Sequence, residues 1–220
     1  MRATNPALPL LLLGSLTANF AFADNSDKFY ATAVVGIGDL SSSYLTYRDA
    51  LSTNFDKVDY DASLAAGGTF GYWLNDSWGI EAEVLYRRNE FSAVDLPALG
   101  NFDGGDFASL AIGVSALYRF DIGSGGRLQG FAGPGIVYLQ EIDIDFDNTA
   151  QQEVSFETDD TAWQLKLGAR YAFNDRWYAD IAATFLMAED VVMQLPANSG
   201  QTLQSSYDHL TMSVGMGIRF

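Results

Sequence analysis

The chain has 220 residues, no cysteine, and a formal net charge of −16 from 28 acids against 12 bases. Without thiols there is neither a disulfide framework nor a thiolate zinc site, and so few bases exclude a phosphate-gripping nucleic-acid binder. Hydrophobic residues make up 48% and Gly numbers 21, yet no stretch approaches the about 18 unbroken apolar residues of a membrane helix.

The first segment reads as a leader. Met1-Arg2 gives a cationic start, Leu8 to Leu16 an apolar run, and Ala21-Phe22-Ala23 a small-x-small cleavage pattern before Asp24. This is the layout of a secretory signal peptide over 1–23, with cleavage near Ala23/Asp24 and a mature domain over 24–220. The apolar run is too short for a transmembrane anchor, which needs about 20 residues.

Eight strands are then predicted, at roughly 28–38, 62–74, 78–91, 107–120, 127–140, 160–173, 177–187 and 207–220. The gaps between them are 23, 3, 15, 6, 19, 3 and 19 residues, so long and short connections alternate. Long structureless loops are unusual in a compact soluble domain. Tight turns at one end and long loops at the other are expected of an outer-membrane barrel.

Side chains of an extended strand alternate between two faces, and the strands agree on what each face carries. In the last strand Leu210, Met212, Val214, Met216, Ile218 and Phe220 oppose His209, Thr211, Ser213, Gly215, Gly217 and Arg219. The third sets Ile80, Ala82, Val84 and Tyr86 against Glu81, Glu83 and Arg87. The fourth sets Leu110 to Phe120 against Ser115 and Arg119. The sixth opposes Trp163, Leu165 and Leu167 to Lys166 and Arg170, and the seventh opposes Ile181 and Phe185 to Asp180 and Thr184. Two strands are less clean. The first has no decided parity, and in the fifth Pro134 cannot donate to a ladder, so Gly133-Pro134-Gly135 is expected to form a bulge or local break.

One face is greasy. The other carries Glu81, Glu83, Arg87, Arg119, Lys166, Arg170, Asp180 and Arg219 among small residues. An eight-stranded interior is just wide enough for side chains to fill, and buried ions must pair. The predicted fold is therefore all-β: an eight-stranded antiparallel up-and-down transmembrane β-barrel, apolar face to lipid and a charge network in the lumen. Trp73, Trp78 and Trp177 border the short turns and Trp163 lies toward the other end, so all four are expected in interfacial aromatic girdles.

The hairpins WLNDSWGIEAEVLYR and YAFNDRWYADIAATF, with the terminal MGIRF, resemble the small eight-stranded outer-membrane barrels of OmpA/OmpX type, including opacity-like surface antigens. The resemblance implies a bacterial outer-membrane location among membrane lipids and lipopolysaccharide. It also implies that Met216, Ile218 and Phe220 form the signal read by the barrel-assembly machinery. For function it leaves adhesins, structural anchors, narrow pores and a few lipid-modifying enzymes.

The long connections at 39–61, 92–106, 141–159 and 188–206 hold seventeen acids against two bases, Arg48 and Lys57. In EIDIDFD the row Glu141, Asp143, Asp145 and Asp147 is expected to continue the inward face, with Ile142, Ile144 and Phe146 outward, on a hairpin protruding beyond the membrane. Hard cations take several oxygen ligands, which makes Asp143, Asp145 and Asp147 candidate ligands for a divalent cation. Asn148 and Val154 break an EF-hand pattern, and a solvated acidic strand is the plainer reading.

Catalysis has little support. His209 is the one histidine, Thr211 stands where a lipid deacylase of this size would carry Ser, and a nucleophile needs a base within reach. No GxSxG, P-loop or HExxH pattern occurs. The expected function is a non-enzymatic surface anchor that presents acidic loops for adhesion, other surface contact or envelope integrity, without a cofactor. The alternatives are a narrow cation-preferring pore and a lipid A-modifying enzyme.

Overall fold

Asn75 and Asn174 build the same turn twice. Each side-chain Oδ1 accepts from the backbone N–H groups two and three residues on, at 2.8–2.9 Å. The short Asx side chain replaces a backbone partner and reverses the chain within a few residues. The third short connection turns at Gly123 and Gly126, whose φ values of 80° and 63° suit glycine.

These reversals belong to a computed structural model that describes residues 28–41, 43–91, 94–96, 100–102, 104–147, 153–194 and 200–220. The expected leader lies outside them. In chain order the strands are β1 (Phe29–Leu40), β2 (Ser43–Arg48), β3 (Thr53–Val58), β4 (Ser63–Trp73), β5 (Trp78–Phe91), β6 (Val94–Leu96) and β7 (Gly100–Phe102). They continue with β8 (Gly104–Asp121), β9 (Leu128–Asp147), β10 (Glu153–Ala172), β11 (Trp177–Gln194) and β12 (Thr202–Arg219). Among the described residues none is helical.

Eight strands close a ring in the order β1, β4, β5, β8, β9, β10, β11, β12, every pair antiparallel. The seam is β1 with β12, in register from Tyr30↔Arg219 to Leu40↔His209. It is locked at the terminus, where Phe29 and Phe220 exchange backbone hydrogen bonds of 3.2 and 3.0 Å. Closure leaves the ring no edge strand, so its backbone groups can pair within the wall, as a membrane span requires.

The faces sort as the alternation demands. Leu165 is 44% exposed while its neighbour Lys166 is 6% exposed. Val84, Ile181, Val214 and Met216 lie on the outside, and Thr32, Thr69, Gln164 and Thr184 inside. The undecided first strand turns Tyr30 and Thr32 inward and Val35 and Ile37 outward.

Beyond the apolar band the wall continues. Most of the segments expected to be long loops are strand: β8, β9, β10, β11 and β12 all run past it, and β2–β3 forms a hairpin joined to β12 through Thr202↔Arg48, Leu203↔Tyr47 and Gln204↔Thr46. The protruding hairpin predicted for 141–159 is present as the outer ends of β9 and β10.

Its parity is the reverse of the expectation. Both ladders flanking β9 slip by one residue: Leu110↔Gln140 is followed by Ala108↔Asp143, and Asp160↔Leu139 by Thr158↔Ile142. β9 thus carries one extra residue, a β-bulge, and everything beyond it changes face. Ile142, Ile144 and Phe146 are fully buried inside, while Asp143 and Asp145 are half-buried on the outer face. A second bulge in β11, between Ala188 and Val191 opposite Tyr207 and Ser205, likewise turns Val191 and Met193 inward. At Pro134 there is no register shift. β9 keeps phase with β8 from Ser115↔Gly135 to Tyr118↔Ala132, so the break expected there is an interrupted ladder and not a bulge.

Candidate functional site

The lumen is filled in layers. At the end with the short turns, Tyr30 and Trp73 stack at 5.5 Å, and the Arg119 guanidinium lies 4.2 Å from the Trp73 ring centre. Arg170 sits between Tyr30 (4.4 Å) and Tyr178 (4.0 Å), and Arg219 lies 5.5 Å from Tyr178. Cations over ring faces are attracted by the π quadrupole, more strongly when desolvated. Arg170 also pairs with Asp180 at 3.1 Å. Glycine makes space for the rings, since an added Cβ at Gly71 would overlap Tyr30 and one at Gly217 would overlap Tyr178.

Above this layer Lys166 places its ammonium 2.6 Å from Glu81 Oε1 and 2.8 Å from Glu83 Oε2. Tyr30 and Thr69 donate to the second oxygen of Glu81, at 2.9 and 3.3 Å. Next comes Arg87, fully buried, whose Nε donates to Thr211 Oγ1 at 3.0 Å. His209 occupies the same level, with Nε2 3.1 Å from Asn89 Oδ1 and 3.4 Å from Ser63 Oγ, and Nδ1 3.1 Å from Thr211 Oγ1. Over it all lies an apolar layer that includes Leu45, Tyr47, Phe107, Leu139, Ile144, Phe156 and Leu203.

The predicted lumen residues thus do not form one cluster. Glu81, Glu83 and Lys166 form a triad, Arg170 and Asp180 a pair, and Arg119 and Arg219 are held against aromatic rings. These eight residues, three acids and five bases, sum to a formal charge of plus two. Trp78, Trp163 and Trp177 face outward, but Trp73 does not: it is 4% exposed inside the lumen. Its position by a turn suggested a girdle, but its parity, opposite to Phe70 and Tyr72, decides the face. Met216 points to the outside, and Phe220 packs on Phe29 and Phe70 with ring centres 6.3 and 6.0 Å apart.

Two other expectations meet the geometry. Asp143 and Asp145, on alternate positions of one strand, are about 7 Å apart and do not converge, and the Asp147 side chain lies outside the described residues. Among the described residues no group of three or more His, Asp or Glu side chains is placed to hold a metal ion. His209 does meet a hydroxyl the sequence reading missed, Ser63, which inward parity alone could have suggested. Both are buried inside the barrel. The ring's other hydrogen-bond contacts are Asn89 and Thr211, Tyr207 lies 5.8 Å from it ring to ring, and among the described residues no carboxylate is bonded to it.

A closed ring of eight antiparallel strands, apolar outside and ion-paired inside, defines an integral outer-membrane β-barrel. The chain belongs to the outer membrane protein β-barrel domain family, whose model matches residues 8–220. Among solved structures it is similar to OprG from Pseudomonas aeruginosa, with 17% identity, 89% of this chain and 97% of that one covered, and a TM-score of 0.66. It is similar also to Neisserial surface protein A (16% identity, 87% and 97% covered, TM-score 0.51) and to the outer membrane protein AlkL (14%, 100% and 97%, TM-score 0.52). No curated protein sequence matches. At these identities the likeness is one of fold, and the family places the chain in the bacterial outer membrane.

Proposed function

We propose that the protein is a non-conducting surface barrel, a rigid anchor that carries a folded, acidic extracellular extension for surface contact or envelope integrity. One observation carries this reading: the lumen is occupied at every level, by the arginine–aromatic layer, the Lys166 triad, the Arg87–His209 layer and the apolar layer. An unpaired buried charge is costly, so opening a path through the triad would separate ions with nowhere to go. The β9 bulge strengthens the surface role, because it turns hydrophobic side chains into a core for the extension and leaves Asp143 and Asp145 facing outward.

The same geometry weighs against the cation-preferring pore. Acidic residues concentrate cations outside, but the eight charged residues placed in the lumen sum to plus two, which would favour anions in any leak. The test is conductance of the purified full chain in a planar bilayer. The expected result is silence at all voltages. A steady current would overturn the anchor reading, and cation selectivity of that current would restore the pore.

A further inference from the structure

The outer face of the β2–β3 hairpin differs from everything around it. Ser43, Leu45, Tyr47 and Val58 point inward and are buried. The outward positions pair as Tyr44↔Lys57, Thr46↔Phe55 and Arg48↔Thr53. No carboxylate stands among these six, and Arg48 and Lys57 are the two bases of the four long external segments, which hold seventeen acids. Tyr44 is 64% exposed and Phe55 is 71% exposed. The hairpin's inner face already supplies its packing, so the two exposed rings on the other side lie outside its core. Exposed apolar groups rimmed by polar ones mark contact sites.

Position narrows the partner. Thr46 is level with Gln204 on β12, four residues beyond Asp208, which pairs with Met187 beside Trp163 in the outer girdle. At a rise of about 3.3 Å and a tilt of about 40°, that is about 10 Å above the apolar band. The face is held there by the β12 ladder, pointing sideways from the wall, where the sugars of outer-leaflet lipopolysaccharide stand.

We infer that this face binds the phosphorylated oligosaccharide of the surrounding lipopolysaccharide. Tyr44 and Phe55 would stack on the C–H faces of pyranose rings, and Arg48 and Lys57 would take the phosphates. Arg presents a planar fork that matches phosphate oxygens in a bidentate manner, and Lys a point charge. The Lys57–Asp59 pair, 2.8 Å long with both side chains exposed, is a surface ion pair that an arriving phosphate can displace. The inference rests on the surface-barrel reading and gives its partner a chemistry.

The experiment titrates deacylated, core-phosphorylated lipopolysaccharide oligosaccharide against the full chain in nanodiscs, read by saturation transfer to the sugar protons. Wild-type protein is expected to bind, and Y44A/F55A and R48Q/K57Q each to bind about tenfold more weakly, equivalent to about 1.4 kcal/mol. Dephosphorylated oligosaccharide should lose affinity for the wild type and be indifferent to R48Q/K57Q. All four side chains are exposed, so the variants should keep the folded barrel's resistance to heat in detergent. Equal binding by all three proteins, or none by the wild type at millimolar sugar, would overturn the inference. So would self-association abolished by Y44A/F55A with no sugar signal, which would give the face to a second copy. Either failure leaves the silent lumen untouched, since conductance alone decides that.

Discussion

Lys166 on β10 places its ammonium 2.6 Å from a carboxylate oxygen of Glu81 on β5, both side chains sealed inside the barrel. β5 and β10 are not neighbours in the wall, so this contact spans the lumen.

Removing the ammonium alone leaves Glu81 and Glu83 buried together without a counter-ion. Lys166→Met is expected to destabilise the barrel by about 3–5 kcal/mol, the range for a broken buried pair. The triple variant K166M/E81Q/E83Q should recover a large part of that loss. Urea unfolding from lipid vesicles, followed by tryptophan fluorescence, measures both. Equal loss in the two would show that packing, and not charge, governs the site.

The β9 bulge supplies a second prediction. Deleting Glu141 removes the extra residue and should return Ile142, Ile144 and Phe146 to the outer face. The membrane ring is expected to survive with its heat resistance in detergent. The extension above it should lose its core and become sensitive to proteinase K. Unchanged protease resistance would mean that the bulge does not set the parity.

Acid should loosen the tip of the β2–β3 hairpin. The Leu51 and Ser52 backbone N–H groups donate to Asp49 Oδ1 at 2.7 and 2.6 Å, and the Ser52 hydroxyl adds 3.1 Å. These donors, the Leu51 N–H foremost, hold the Asp49 carboxyl below its ordinary value. A depressed carboxyl contributes stability above its unfolded pKa, and loses it as pH falls through the folded one. Amide exchange at Leu51 and Ser52 is therefore expected to be constant from neutral pH down to the ordinary carboxylate range, once corrected for intrinsic rates, and to quicken below it. Asp49→Asn should flatten this response.

The ring was legible because its signals are local. Hairpins such as Asn75 to Trp78 and a strict apolar alternation, as from Leu210 to Phe220, need no knowledge of distant residues. What was not legible depends on phase. Val137, Tyr138 and Leu139 are apolar on both parities, so no residue there announces that β9 will slip. Energetics gave the one usable warning: four consecutive inward carboxylates, Glu141 to Asp147, had no base on the neighbouring segments 92–106 and 148–159 to pair with, and such a row cannot be sealed in a lumen. Trp73 shows the converse error, in which a location next to a turn outweighed a parity already known. The partners of His209 were hidden because β4, β5 and β12 come together only on closure.

The account depends on which face meets lipid, and the four tryptophans report on it directly. Four single-Trp variants, the other three replaced by Phe, would be reconstituted in vesicles of brominated phospholipid. Trp78, Trp163 and Trp177 are expected to be strongly quenched, and Trp73 to fluoresce as it does in unbrominated lipid. Strong quenching of Trp73 with none of the other three would mean that the lipid and lumen faces are the reverse of those described.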